Sequence, residues 1–201
     1  MNPYPLPPGY LNLMGYVDRS EVNGPGCRAV VWLQGCHRGC PGCFNPASWS
    51  FAINQLVSVD DLAAQILSQP QNEGVTFSGG EPFWQAVALA QLARQLKAAA
   101  GLTVMAFSGF TLAELQSDRA PTGSQALLAQ LDILVDDPFV ESLAIHDPES
   151  LVSSRNQRVH VLNPEFKGRL NWASDQIEVH VLKDGSRIVT GYRGQLPELT
   201  S

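Results

Sequence analysis

Charge is scarce in this chain. Lys, Arg, Asp and Glu supply 16% of its 201 residues, and 13 basic side chains face 19 acidic ones, a formal charge of −6. Gripping a phosphate backbone needs clustered Lys and Arg, so this balance argues against a nucleic-acid binder. Long apolar runs are also missing. No stretch approaches the roughly 18 residues that span a bilayer, so no membrane partner is expected. The opening stretch, MNPYPLPPGYLNLMGYVDRS, has no charged segment leading into an apolar one. No secretory signal is therefore expected, and the expected compartment is the cytoplasm. The prolines there predict an extended arm over residues 1–20, ahead of a single domain over 21–201. Low complexity and internal repeats are absent. The 44% hydrophobic content is ordinary globular usage and excludes disorder.

Cysteine is sparse too, but unevenly placed: of four, Cys36, Cys40 and Cys43 fall within eight residues, and Cys27 stands apart. Such crowding on a polar loop suggests a metal site before disulfides. Thiolates are the usual ligands of iron–sulfur clusters, and a C-x3-C-x2-C set can hold three corners of a [4Fe–4S] cubane. Three ligands leave one iron open, and an open position on a metal invites a substrate or cofactor. Gly35, Gly39 and Gly42 allow the loop to bend tightly. Structural zinc is the main rival, but only Cys40–Cys43 forms a zinc-like pair, and His37 would be strained as a fourth ligand. A redox C-x-x-C would leave Cys36 without a role. Cys27 reads as a small core residue. His146, His160 and His180 lack ligand spacing, and Trp32, Trp49, Trp84 and Trp172 read as packing residues.

Continuously apolar runs predict buried strands at Cys27–Gln34, Val75–Phe77, Leu102–Ser108 and Asp132–Asp136, with a further strand at Arg158–Leu162. Between them fall a Ser58-capped helix, a helix over Phe83–Ala99, and shorter helical runs from Thr111 and Ser124. IEVHVLK and SRIVTGY flank Asp184–Gly185, a hairpin signal. This alternation predicts an α/β fold: a parallel sheet with covered faces, as a partial (β/α) barrel or open sheet, with a C-terminal β-hairpin. Ligand sites in such folds lie at the carboxyl ends of the strands. Four turns fall there: Gly35–Pro46, Ser78–Pro82, Ser108–Phe110 and Asp136–Phe139.

C-x3-C-x2-C after a first strand resembles the signature of the radical S-adenosylmethionine (SAM) superfamily. The longer string GPGCRAVVWLQGCHRGCPGCFNP is similar to the glycyl-radical-enzyme activases, particularly the activating proteins of anaerobic ribonucleotide reductases. VTFSGGEP resembles the superfamily's GGE turn. SGFTLAEL, LDILVDDPFVESL, SSRNQRV and DGSRIVTGY are similar to later activase segments, so most of Val22 to Tyr192 is covered. Those activases have a partial (β/α) barrel.

The resemblance implies that the open iron binds the amino and carboxylate groups of SAM. One electron then cleaves the sulfonium, and the resulting 5′-deoxyadenosyl radical abstracts hydrogen from a backbone glycine of a partner enzyme. The expected cofactors are a [4Fe–4S] cluster on Cys36, Cys40 and Cys43, and SAM. The expected partners are a glycyl radical enzyme and an electron donor such as flavodoxin or ferredoxin. Gly79 and Gly80 would bring backbone acceptors to the SAM ammonium. Glu81 would anchor that turn or add a carboxylate. Ser78 belongs to the same turn. Ser108 and Asp136 would reach the ribose or the amino-acid moiety, with capping and turn roles equally open. Phe44 would lie near the adenine or anchor the loop, and Asn45 could be a turn residue. Arg28 could bind a carboxylate or form a surface ion pair, and Asn156, Gln157 and Arg158 have no chemistry assigned. Alternative readings are a radical SAM enzyme acting on a small molecule, such as the 7-carboxy-7-deazaguanine synthases, and a pyruvate formate-lyase activase.

Overall fold

A computed structural model describes residues 5–145, 147, 150–167, 176–182 and 185–191. Four strands form its parallel centre: β2 (Arg28–Leu33), β4 (Gly74–Gly79), β5 (Thr103–Phe107) and β6 (Ile133–Asp136), in that spatial order. They are short apolar runs, and β2 and β6 are buried at every position. The helices are α1 (Val59–Leu67), α2 (Ala86–Ala100), α3 (Leu112–Gln116) and α4 (Ser124–Leu128). Ser58 caps α1 by accepting from Asp61 N, and Thr111 and Glu114 close a capping box on α3. The helix expected from Phe83 opens instead as a 3-10 turn over Pro82–Gln85, and α2 starts only at Ala86.

The sheet departs from the expected parallel pattern at both ends. Within the expected extended arm, Tyr10–Ser20 forms strand β1, antiparallel to β2 and to β3 (Gln55–Ser58). The segment joining β1 to β2 is too short for the crossover that parallel pairing needs. Register shifts at Leu13/Gly15 and Val17/Ser20 break its alternation, which hid the strand in the sequence. β7 (Arg158–Val161) adds antiparallel to β6, so the order runs open from β3 to β7. β8 (Ile177–Val181) and β9 (Arg187–Gly191) pair as the expected hairpin. Asp184 of its turn signal lies outside the described residues, as do His146, Trp172 and Tyr192.

The helices pack on one face of the sheet, where Leu62, Ile66, Leu89, Leu92 and Leu96 meet Val31, Phe77 and Val104 in the main core. The other face carries Val30 and Trp32 beneath Ile188 of the hairpin, and Met105, Ile133 and Val135 beneath Leu151 and Val152. This second cover is loose, and the cavity described below opens between it and the sheet. Among the described residues, no helix is long and apolar enough to cross a membrane.

The lower end of the sheet is tied by Arg28, which is 1% exposed. It neither binds a carboxylate nor pairs at the surface. Its guanidinium donates to Thr76 Oγ1 (2.9 Å), Pro25 O (2.9 Å), Thr103 Oγ1 (2.8 Å) and Val75 O (2.9 Å). Burial pulls its pKa down to about 10, which still leaves it charged near neutrality. A Cβ on Gly74 would collide with Arg28 and Thr103, and one on Gly24 would meet Met105 Sδ at 2.8 Å. The GPG-x-R string is therefore a structural knot joining β2, β4 and β5. Arg28→Ala should lower the unfolding free energy by about 3 kcal/mol, because buried acceptors lose their donors and a cavity opens. Urea denaturation reads this, and an unchanged midpoint would count against the knot.

Candidate metal centre

The site is assembled where β2 and β4 end together. Leu33 pairs with Gly79, and beyond the last pair the two chains stay in contact: Gly80 N donates to Leu33 O (2.8 Å) and Glu81 N to Gly35 O (2.9 Å). A Cβ on Gly80 would sit 2.5 Å from Gly35 O, and one on Gly79 would sit 2.7 Å from Leu33 N. Gly79 also adopts φ +93, a left-handed conformation that favours glycine. Only two glycines in succession let the turn lie flat against the start of the cysteine loop.

The loop is held on its other side by polar groups that the sequence did not single out. Gly35 N donates to Ser48 O (2.6 Å) and Cys36 N to Trp49 O (3.2 Å). Buried Gln34 donates to Ser50 O (2.7 Å), and buried Gln85 donates to Gln34 O (3.0 Å) and Asn12 O (2.9 Å). Nothing local in the sequence marks Gln85 or Asn12, which are 73 positions apart.

Cys36, Cys40 and Cys43 are all free thiols, partly exposed, on the wall of one cavity of about 830 Å³. Ser78, Gly79, Gly80, Glu81 and Ser108 line the same space, as do Phe44 and Asn45. Each sulfur has a backbone N–H beside it: Arg38 for Cys36, Phe139 for Cys40, and Asn45 for Cys43 at 3.4 Å. Donors aimed at sulfur are what a thiolate-bound cluster needs, because hydrogen bonds to the sulfurs tune it. Burial pushes the Cys36 thiol up to about 11, and burial and Cys43 raise Cys40. Both thiols therefore keep their protons near neutrality until a metal displaces them. Among the described residues, no three Cys, His, Asp or Glu side chains converge on a single ion. A cubane spreads its thiolates over separate irons, so it fits a wider triad.

Among the described residues, neither Cys27 nor His37 is placed as a fourth ligand, although the carboxylates of Asp137 and Glu141 also line the cavity. Cys27 lies before the start of β2 and Cys36 beyond its end, about 20 Å apart at the usual rise per strand residue. Cys27 is 9% exposed and contacts Arg19 and Asn72. His37 accepts from Trp84 Nε1 (2.9 Å), and its ring is not part of the cavity wall.

Glu81 is a bracket between loops. Its carboxylate accepts from Phe83 N (3.0 Å), Ser108 Oγ (3.0 Å) and Gly109 N (2.8 Å). Burial pushes its pKa up to about 7, while these donors pull the other way. Asp136 is not brought to the cavity. Its Oδ2 accepts from Leu112 N (2.6 Å) at the start of α3 and lies 3.0 Å from His160 Nε2, without hydrogen-bond geometry. The neighbouring Asp137 lines the cavity instead, held at φ +80. Asn156 Nδ2 donates to Pro138 O (2.8 Å) and Gln157 Nε2 to Asp137 O (3.1 Å). The NQ pair therefore pins this turn. Phe44, 54% exposed, packs on Phe139 with ring centres 5.4 Å apart.

Residues 22–160 match the family model of the 4Fe-4S single cluster domain. The anaerobic ribonucleoside-triphosphate reductase-activating protein of Pasteurella multocida is 33% identical over 160 residues, covering 75% of this chain and 97% of its own length. The protein of the same name from Vibrio cholerae is 32% identical over 158 residues, with the same coverage. That of Escherichia coli strain K12 is 29% identical over 161 residues, covering 76% of this chain and 99% of its own.

Gly80→Ala should force the loop off Gly35 and cut iron retained after anaerobic reconstitution by about tenfold, since Cβ contacts this short are not tolerated. Full iron retention in a folded Gly80→Ala protein would refute the role of the clasp. Glu81→Ala leaves the Phe83 and Gly109 N–H groups without their partner. It should cost about 2 kcal/mol of stability in the same urea assay.

Proposed function

The chain belongs to the 4Fe-4S single cluster domain family, and from that premise we propose that it is a radical SAM activase, with Cys36, Cys40 and Cys43 as ligands of its cluster. Its substrate is a backbone glycine of an anaerobic ribonucleotide reductase, and it works in the cytoplasm. The observation that carries this reading is the convergence of three thiols, without the fourth cysteine Cys27, on the cavity that also receives the Gly79–Gly80 turn. The relatives are activating proteins of anaerobic ribonucleoside-triphosphate reductase, which favours that partner over pyruvate formate-lyase or a small molecule.

Bound together, the cluster and SAM would supply one-electron cleavage of the sulfonium and hydrogen abstraction from the partner. The chain's own residues bind, orient and exclude water. The Gly79–Gly80 turn lines the cavity and would offer backbone acceptors to the SAM ammonium, its glycines being required by the close approach to Leu33 and Gly35. Ser78 and Ser108 line the cavity, the Ser108 hydroxyl being held by Glu81 and Phe110 N, and Phe44 with Phe139 forms an apolar wall suited to the adenine. Asn45 N donates to Cys43 Sγ, so Asn45 would lie beside a cluster held on that sulfur. Glu81 holds the β4 and β5 turns together and spends its acceptors on the chain itself. Asp136 supports from behind the cavity, through α3.

The test is anaerobic reconstitution followed by SAM and dithionite. Wild-type protein should hold about four irons per chain and release 5′-deoxyadenosine, and Cys→Ala at 36, 40 or 43 should lower the yield by at least about a hundredfold, as loss of a metal ligand does. An intact cluster that yields no 5′-deoxyadenosine would sink the reading. So would full activity in a zinc-loaded protein.

A further inference from the structure

Cys40 takes a hydrogen bond from outside the cysteine loop. The N–H of Phe139 is aimed at its sulfur, whereas Cys36 and Cys43 take theirs from Arg38 and Asn45, within the loop itself. Phe139 meets the loop twice more. Its ring packs on Phe44 with centres 5.4 Å apart, and a Cβ on Gly42 would lie 3.2 Å from its Cε1. If Cys40 holds an iron, as the proposed function requires, the placing of the Phe139 backbone decides what that sulfur feels.

That backbone is held by the run from Ser153 to Gln157. β6 and β7 pair Asp136 with Arg158, so Asp137 and Gln157 come together just beyond the ladder. Gln157 bonds in two directions. Its Oε1 accepts from Ser153 N (2.8 Å) and Ser154 N (3.2 Å), and its Nε2 donates to Asp137 O (3.1 Å). Asn156 Nδ2 donates to Pro138 O (2.8 Å). Ser154, fully buried, accepts at Oγ from Val140 N (3.2 Å). The chain on either side of Phe139 is thus fixed at 137, 138 and 140 by three side chains of one run. Asp137 stays at φ +80, where a residue other than glycine is strained unless its surroundings hold it. Among the described residues, Asn156 Oδ1 is buried without a partner, so this amide is spent on its one bond to Pro138.

We propose that Asn156 and Gln157 are positioning residues of the cluster: by fixing Asp137 and Pro138 they aim the Phe139 N–H at Cys40 Sγ, and so set the potential at which the cluster accepts its electron. The reduced cluster carries one more negative charge than the oxidised one, and an N–H dipole on a sulfur favours it. A donor turned away therefore lowers the potential. Both amides act through the backbone that lies between them and Cys40. The motif thus has a task in the chemistry although its side chains bond only to the chain itself.

Gln157→Met and Asn156→Ala remove these bonds without adding charge. Each full-length variant, reconstituted anaerobically, is titrated with dithionite in the absence of SAM and followed by electron paramagnetic resonance. The reduction equilibrium should shift about tenfold toward the oxidised cluster, which is about 59 mV for one electron. A wild-type potential in either variant would overturn the proposal, even where urea shows lower stability, since that is the outcome of a purely structural role. Iron lost from a folded variant would count for it, as a Cys40 no longer held in place. Cluster-loaded wild-type protein gives a test that needs no variant to fold. Amide exchange at Phe139 and Val140, read by mass spectrometry, should be at least about tenfold slower than in unprotected chain, and free exchange there would overturn the proposal. A wild-type chain that takes up no four-iron cluster would instead overturn the function on which the proposal rests.

Discussion

The close approach of Gly79–Gly80 to Leu33–Gly35 is the contact on which the rest of the site depends. It extends the β2–β4 pairing past the last paired residues and leaves no room for a single side-chain carbon. The cysteine loop is thereby anchored at its first residue to the turn that would receive SAM. Everything above that point follows from it. Glu81, the next residue, can then reach across to Ser108 and Gly109 at the end of β5. Three strand ends become one rim through these hydrogen bonds.

The two ends of the sheet do different work. At the lower end, Arg28 on β2 satisfies neutral oxygens on β4 and β5 and is closed off from solvent, so this end is tied together. At the upper end the chain is bent into left-handed positions at Gly35, Gly79 and Asp137. Backbone strain of this kind persists only where surroundings over-determine it, and it clusters at ligand sites. Asn156 and Gln157 are part of that determination. Placing all four helices on one face leaves the other face to a hairpin and a loop. That imbalance is what creates a cavity beside the cysteines.

Much of this was legible in the sequence because it is local. β2, β4, β5 and β6 are continuous apolar runs, the caps of α1 and α3 are short-range patterns, and three crowded cysteines on a polar loop read as a metal site. What was not legible depends on distant partners. β1 is broken by register shifts, and its prolines drew attention to an arm. Arg28 reads as a surface residue until its acceptors are seen, since those lie up to 75 positions away. Asp136 and Asp137 are adjacent and identical in type, so only the backbone decides which of them lines the cavity. The roles of Gln85 and Asn12 exist only through each other. The parallel sheet was overextended because periodicity reports burial but not strand direction, which loop length fixes instead.

The chain is therefore a scaffold that presents three cysteine sulfurs to a cavity lined by the Gly79–Gly80 turn. The central claim is that the missing ligand leaves one iron open to SAM. Electron–nuclear double resonance on the reduced cluster, with SAM labelled at its amino nitrogen or carboxylate oxygen, tests it most directly. The account predicts a hyperfine coupling from the labelled atoms, lost when SAM is omitted. A reduced cluster whose spectrum is indifferent to SAM would contradict it.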